Sequence, residues 1–272
     1  MTSRGNLDSA FQGSIPGIYD RYLGPLLFSP YATEMARRAA ELKPQRILET
    51  AAGTGIVTSA LHRACPDAEI IVTDLNPGML DIAAQRVRTG LVHFQAADAQ
   101  DLPCDDGEFD LVVCQFGVMF YPDRIRGNHE ARRVLIEGGT YLVAIWDSIE
   151  ANPAARIVHE AVGDLFPDDP PNFLARTPYG YHDITEIRAD LADAGFEEVT
   201  IDTVALDSLP VSALGAATGL VSGSPLRGEI EERDPGGLDR AVEAAAAALR
   251  QIEKDGALVS TLSAHIVTAT RE

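Results

Sequence analysis

Three carboxylates sit at comparable places in this sequence: Glu49, Asp74 and Asp98. Glu49 ends the apolar run Arg46-Ile-Leu-Glu49, and Asp74 ends Glu69-Ile-Ile-Val-Thr-Asp74. Asp98 follows the run Leu91-Val-His-Phe94 after a short loop. Beyond Glu49 the chain passes through Ala51, Gly53, Thr54 and Gly55 and then reads as a helix. A strand, a turn of small residues and a helix N-terminus bring backbone amides beside a small ligand. Asp74, 25 residues past Glu49, stands where an acidic side chain accepts both hydroxyls of a ribose, an arrangement that also suits a nicotinamide dinucleotide.

The turn itself discriminates between ligands. A dinucleotide loop, G-x-G-x-x-G/A, needs a small third residue so that helix and strand pack closely. Here that slot holds Ile56 or Thr58, depending on the register, and neither fits well. A phosphate-cradling loop, G-x-x-x-x-G-K-[ST], is excluded because no lysine lies between Lys43 and Lys254.

The motif E-T-A-A-G-T-G resembles motif I of the class I S-adenosylmethionine-dependent methyltransferases, with Ala51 in place of the first glycine. A sulfonium with an ammonium favours a carboxylate at the strand end, where a pyrophosphate would be repelled. The resemblance continues in Asp74-Leu75-Asn-Pro-Gly-Met79-Leu80, where Leu75 and Met79 are implied beside the adenine. It continues in Ala97-Asp98-Ala99-Gln-Asp-Leu-Pro103, where Asp98 and the Ala99 amide are implied partners of the adenine edge. The segment Phe109 to Asp123 resembles the ubiquinone- and menaquinone-type members, with Gln115 beside the methionine part of the cofactor. Upstream, Tyr19-Asp-Arg-Tyr22 resembles the group's N-terminal segment, which folds over the cofactor. The resemblance spans residues 19 to 147. It implies S-adenosyl-L-methionine as cofactor, S-adenosyl-L-homocysteine as product, and methyl transfer to a small-molecule acceptor by in-line displacement.

Positioning these residues requires regular elements. Strands are predicted at 46–50, 69–74, 91–94, 109–114 and 138–146, alternating with helices near 55–64, 77–88 and 122–136. A helix is predicted at 31–42, ended by Pro44. Further on come helices at 153–166 and 183–194, a proline-rich loop from Pro167 to Pro178, a strand at 197–206, mostly helical residues at 211–254 and a final strand at 260–270. Alternating apolar, β-branched strands and helices read as a parallel sheet covered on both faces. With the resemblance, the expected fold is α/β: a Rossmann-like, doubly wound, seven-stranded sheet, mostly parallel with its last strand antiparallel. The expected organisation is a flexible arm at 1–18, a core at 19–210 and 257–272, and a helical lid insertion at 211–256.

The 272 residues carry a net charge of −19, a field that repels phosphate backbones and anionic lipid. Nucleic acid and membrane are therefore not expected as partners; a homodimer is compatible with the reading. Cys65, Cys104 and Cys114 form no framework or zinc pattern, and the N-terminus lacks a signal-peptide core, so a cytoplasmic location is expected. No metal is expected.

The resemblance places acceptor-contacting residues after the fourth and fifth strands and in the lid: Phe120, Tyr121, Trp146, Asp147, Tyr179 and Tyr181. His182 and His159 are the candidate general bases, and Asp183 reads as a helix cap. The sequence Cys114-Gln115-Phe116-Gly117 departs from the [D/N/S]-P-P-[Y/F/W] pattern of amino-methyltransferases acting on bases or glutamine. The rivals are a nicotinamide-dependent oxidoreductase and a non-catalytic S-adenosylmethionine-binding module.

Overall fold

The computed structural model describes residues 15–272. Seven strands form one sheet: β1 (Arg46–Glu49), β2 (Glu69–Asp74), β3 (Val92–Ala96), β4 (Phe109–Gln115), β5 (Leu135–Trp146), β6 (Glu198–Asp207) and β7 (Thr261–Thr270). Their order across the sheet is β3-β2-β1-β4-β5-β7-β6. Strands β1 to β5 pair in parallel. β7 runs antiparallel to β5, with Thr140 opposite Thr270 and Trp146 opposite Ala264. The α/β fold expected from the sequence is present, reversed strand included.

The helices are α1 (Ile15–Ile18), α2 (Ser29–Leu42), α3 (Ile56–Ala64), α4 (Pro77–Arg86), α5 (Arg124–Val134), α6 (Pro153–Gly163), α7 (Phe173–Arg176), α8 (Ile184–Asp193), α9 (Ala213–Ser222), α10 (Leu226–Arg233) and α11 (Leu238–Leu249). A π-helical stretch, Tyr19–Phe28, contains Pro25, whose missing N–H is a local reason for the wider winding.

The chain divides into two compact units. The first comprises Tyr31–Trp146, Tyr181–Val204 and Ala264–Glu272. Its core centres on β4, where Leu111, Val112, Val113 and Cys114 are all fully buried. Such an unbroken apolar run marks a strand covered on both faces, and each large side chain contributes roughly 1.5–3 kcal/mol by leaving water. Edge strand β6 instead presents Glu198, Asp202 and Asp207, charges that oppose edge-to-edge pairing. α4 begins where the Asn76 side chain accepts from the Gly78 amide with Pro77 next in line. α8 begins at Asp183, which accepts from the Thr185 amide as the sequence suggested. Arg271 donates to the carbonyls of Arg132, Arg133 and Leu135, satisfying the open end of α5.

The second unit comprises residues 15–30, Asp147–Gly180 and Ala205–Ser263. α11 packs on α9 and α6, and the π-helical stretch packs on α9. Small residues allow that approach: a Cβ on Gly219 would lie 2.8 Å from Leu23 Cδ2. This unit takes in more than the 211–256 insertion read from the sequence, because α6 and the segment before Tyr31 bury their apolar sides against α9 and α11. The proline-rich loop is also less irregular than expected. It contains α7, formed where Phe173 and Leu174 are buried. Of the arm at 1–18, residues 1–14 lie outside the described residues and Ile15–Ile18 are helical. Among the described residues no helix is long and apolar enough to cross a membrane.

Candidate functional site

Glu49 ends β1 between Val72 of β2 and Val113 of β4. The next residues stay tied to the sheet: the Thr50 amide donates to the Val113 carbonyl at 2.9 Å, and the Ala52 amide to the Thr73 carbonyl at 3.0 Å. The Thr73 hydroxyl donates back to the Glu49 carbonyl at 3.1 Å. The chain then turns through three left-handed residues, Ala51 (φ 51°), Gly53 (φ 57°) and Gly55 (φ 77°). Glycine adopts this conformation freely, whereas alanine costs roughly 1 kcal/mol there. Gly55 serves packing too, since a Cβ on it would lie 2.8 Å from the Ala83 Cβ of α4. Room for Ala51 comes from Gly117, beyond β4: a Cβ on Gly117 would lie 2.5 Å from the Ala51 methyl.

Asp74 braces the same turn. One of its oxygens accepts from the Gly53 amide and the other from the Asn76 amide, each at 2.8 Å. Burial raises its pKa from the ordinary aspartate value, and those two amides oppose the rise. Arg86 of α4 donates to the Thr54 carbonyl at 2.9 Å. Ala51, Gly53, Thr54, Gly55 and Asp74 are thereby held as one constellation.

Glu49 has the most unusual environment. It is 1% exposed, and neither carboxylate oxygen has a hydrogen-bond partner. Burial pushes its pKa up to about 8, with Asp74 adding a second negative charge. Thr58 opposes the shift from nearby without reaching hydrogen-bonding geometry, and the buried hydroxyls of Thr54 and Thr58 are themselves unpartnered. α3 starts at Gly55 with no side-chain cap, which leaves first-turn amides for a ligand.

Beyond β3, Asp98 accepts from the Gln100 amide at 2.9 Å, and Gln100 Oε1 accepts from the Asp123 amide at 2.8 Å. Gln100 thus fastens the Asp98–Ala99 loop to the segment after β4. Gln115 ends β4, half-buried, opposite Ala144 of β5. Phe116 follows in a left-handed conformation (φ 56°), unfavourable for an aromatic residue. Its ring stacks on Trp146 at 3.7 Å, and Tyr31 meets both rings edge-on. The two cofactor candidates after β2 part company: Leu75 is 61% exposed beside Asp74, whereas Met79 is 3% exposed. Met79 is buried on α4, and Leu75 offers the more open apolar surface of the two.

The acceptor-side candidates fall in both units. Tyr121 directs its hydroxyl to Thr50 (3.4 Å) and Cys114 (3.5 Å), and its ring lies where a Cβ on Gly127 would intrude. It props the turn from behind. Trp146 is buried in the aromatic stack. Tyr181 is buried, donating to Asp190 at 2.9 Å under the Arg124 guanidinium, 4.2 Å from its ring centre. Phe120 is half-buried in the short 3-10 turn Val118–Phe120. His182 is exposed, and its carbonyl bonds to His265 Nε2 at 3.0 Å. In the second unit, Tyr179 is buried, His159 is half-buried on α6, and Tyr22 lies against Gly215 of α9. Asp147, also there, accepts from the Ser263 hydroxyl.

Arg86, Thr58, Gln100, Phe116 and Gly117 were not singled out from the sequence as site residues. Arg86 lies outside every motif, Thr58, Gln100 and Phe116 stand at variable positions within or beside one, and the role of Gly117 depends on a methyl 66 positions away. Among the described residues no group of three or more His, Cys, Asp or Glu side chains is gathered as for a metal ion.

Comparison with known proteins agrees with this geometry. Residues 48–143 match the family model described as a methyltransferase domain. A demethylmenaquinone methyltransferase of Deinococcus radiodurans is 38% identical over 133 residues, which cover 48% of this chain and 53% of that protein. A ubiquinone/menaquinone biosynthesis C-methyltransferase of Yersinia pestis is 29% identical over 170 residues, 57% of this chain and 68% of that protein. The chain spans about half the length of the first of these relatives. Phosphoethanolamine N-methyltransferase 2 of Haemonchus contortus, in complex with S-adenosyl-L-methionine, superposes with a TM-score of 0.63 at 16% identity, over 100% of this chain and 60% of that one. At that identity the likeness is one of fold. The motif residues and the family match make residues 48–143 similar to a methyltransferase domain, carried here on a seven-stranded sheet of order β3-β2-β1-β4-β5-β7-β6.

Proposed function

We propose that this chain binds S-adenosylmethionine at the Glu49–Gly55 turn and transfers its methyl group to a small, partly apolar acceptor of the phenol or quinol kind. The carrying observation is the Glu49 carboxylate, buried and without a hydrogen-bond partner. A buried carboxylate is costly until a ligand brings positive charge. The ammonium of an amino acid fits that position, and a pyrophosphate does not. The acceptor class follows the named activities of the two quinone-pathway relatives, and a charge of −19 disfavours nucleic acid.

When bound, S-adenosylmethionine supplies an electrophilic methyl carbon on a sulfonium. The chain does the holding. Asp74 would accept the ribose hydroxyls while keeping the Gly53 and Asn76 amides. Asp98 and the Ala99 amide would hold the adenine edge, Leu75 would cover its face, and Gln115 would lie toward the amino-acid end. Fixing the nucleophile in line with the methyl group can supply roughly 7–11 kcal/mol of the barrier reduction. A phenolic acceptor keeps its proton at neutral pH, so a base is useful, and His182 and His159 are the candidates.

Calorimetry with S-adenosylhomocysteine and with NAD tests the first step: the former binds and the latter does not. Labelled cofactor with a panel of phenols, quinols and amines tests the second, with label expected in the phenol or quinol arm. Binding of S-adenosylhomocysteine without transfer to any acceptor would favour a non-catalytic binding module.

A further inference from the structure

We propose that cofactor binding to this chain releases one proton, and that Glu49 is the group that gives it up; the proposal rests on the cofactor reading above. Both carboxylate oxygens of Glu49 are buried and unpartnered. The charged group bearing on it is Asp74 of β2, a second negative charge. Thr58 of α3 offers a hydroxyl and a backbone amide that favour the charged form without supplying a cation, and burial outweighs them. The Arg86 guanidinium, from α4, donates to the Thr54 carbonyl. The titratable Tyr121 hydroxyl, from beyond β4, is turned to Thr50 and Cys114.

A carboxyl in such surroundings keeps its proton in the free protein, in line with a pKa pushed up to about 8. An α-ammonium brought against it reverses the preference. The O–H bond of Glu49 breaks, the proton passes to buffer, and the carboxylate left behind pairs with the ammonium. No other bond changes. Affinity should then rise by about tenfold per pH unit between about pH 5.5 and 7, where an α-amino group keeps its own proton, and level off toward pH 8.

The test uses the whole chain and S-adenosylhomocysteine. Calorimetry near pH 6.5, in buffers of differing ionisation enthalpy, should report release of about one proton per cofactor bound. Infrared difference spectra should lose a carboxylic-acid carbonyl band on binding. Glu49→Gln should bind more weakly, release no proton and show an affinity flat with pH. Binding by the wild type without proton release, or undiminished release by the variant, overturns this proposal and leaves the cofactor reading standing. Absence of any binding by the wild type overturns the cofactor reading and this proposal with it. If Glu49→Gln does not fold, the wild-type infrared band decides.

Discussion

Ala51 and Gly117 form a pair whose members make sense only together. Ala51 is held left-handed at φ 51°, and its methyl occupies the space that Gly117 leaves empty. Ala51→Gly should therefore stabilise the protein by up to about 1 kcal/mol, read from the denaturant midpoint. Gly117→Ala should destabilise it by roughly 1–3 kcal/mol and weaken S-adenosylhomocysteine binding. The double variant should recover much of that loss, a coupling that a double-mutant cycle measures. Elsewhere at this scale, His182→Ala should lower kcat by about 10²-fold where His182 serves as the base; unchanged turnover removes it from the mechanism. That Glu49 and Asp74 end strands and Asp98 follows one was legible in the sequence, because each stands at the close of its own apolar run. Gly117 was not, because its constraint comes from a residue 66 positions earlier. The different exposure of Leu75 and Met79 was not legible, because a motif gives the spacing of residues and not how far each is buried.

Between elements, α5 and α8 are joined by a compact polar brace. Arg124 of α5 bonds to Glu186 and Asp190 of α8 and lies over the ring of Tyr181, which donates to the same Asp190. Arg124→Ala should cost about 1–2 kcal/mol, because it removes partly buried charge-assisted bonds and a cation–π contact together. Arg124→Lys should recover only part of it, since an ammonium cannot reproduce the planar fork; thermal denaturation of the two variants checks this. Most strands and helices could be read from apolar periodicity and capping residues, as at Asn76 and Asp183. The place of β7 between β5 and β6 could not, since strand order depends on pairing between distant segments; resemblance supplied the reversed strand. α7 escaped because four residues among prolines carry no periodicity, and burial of Phe173 and Leu174 is what marks them.

Over the whole molecule, two carboxyls set opposite pH dependences. Glu49, with its folded pKa near 8 against 4.5, holds its proton in the folded state across that interval while the unfolded chain has released it. The folded state binds more protons there, so stability falls as pH rises from about 4.5 to 8 and is flat beyond, by at most about 5 kcal/mol from this group. Glu34, lowered to about 2, chiefly by its hydrogen bond to Arg37, acts the other way: its contribution is present above its ordinary pKa and is lost as pH falls toward 2. Without cofactor, Glu49→Gln should raise Tm at pH 8 relative to wild type, with little change at pH 4.5. The division into two units was the least legible feature. An insertion is read as a continuous stretch, whereas the helical unit is assembled from three separated segments.

The sheet order carries a consequence for how the chain is made. β7 is synthesised after β6, yet it lies between β5 and β6. Until residues 261–270 leave the ribosome, β5 has an open edge along Thr140 to Trp146, and β6 has no neighbour through which to join the sheet. A nascent chain stalled before that point exposes an apolar strand edge of the kind that templates aggregation. Completion of the sheet waits on its last strand, and early release or truncation should send the chain to inclusion bodies rather than to a smaller folded core.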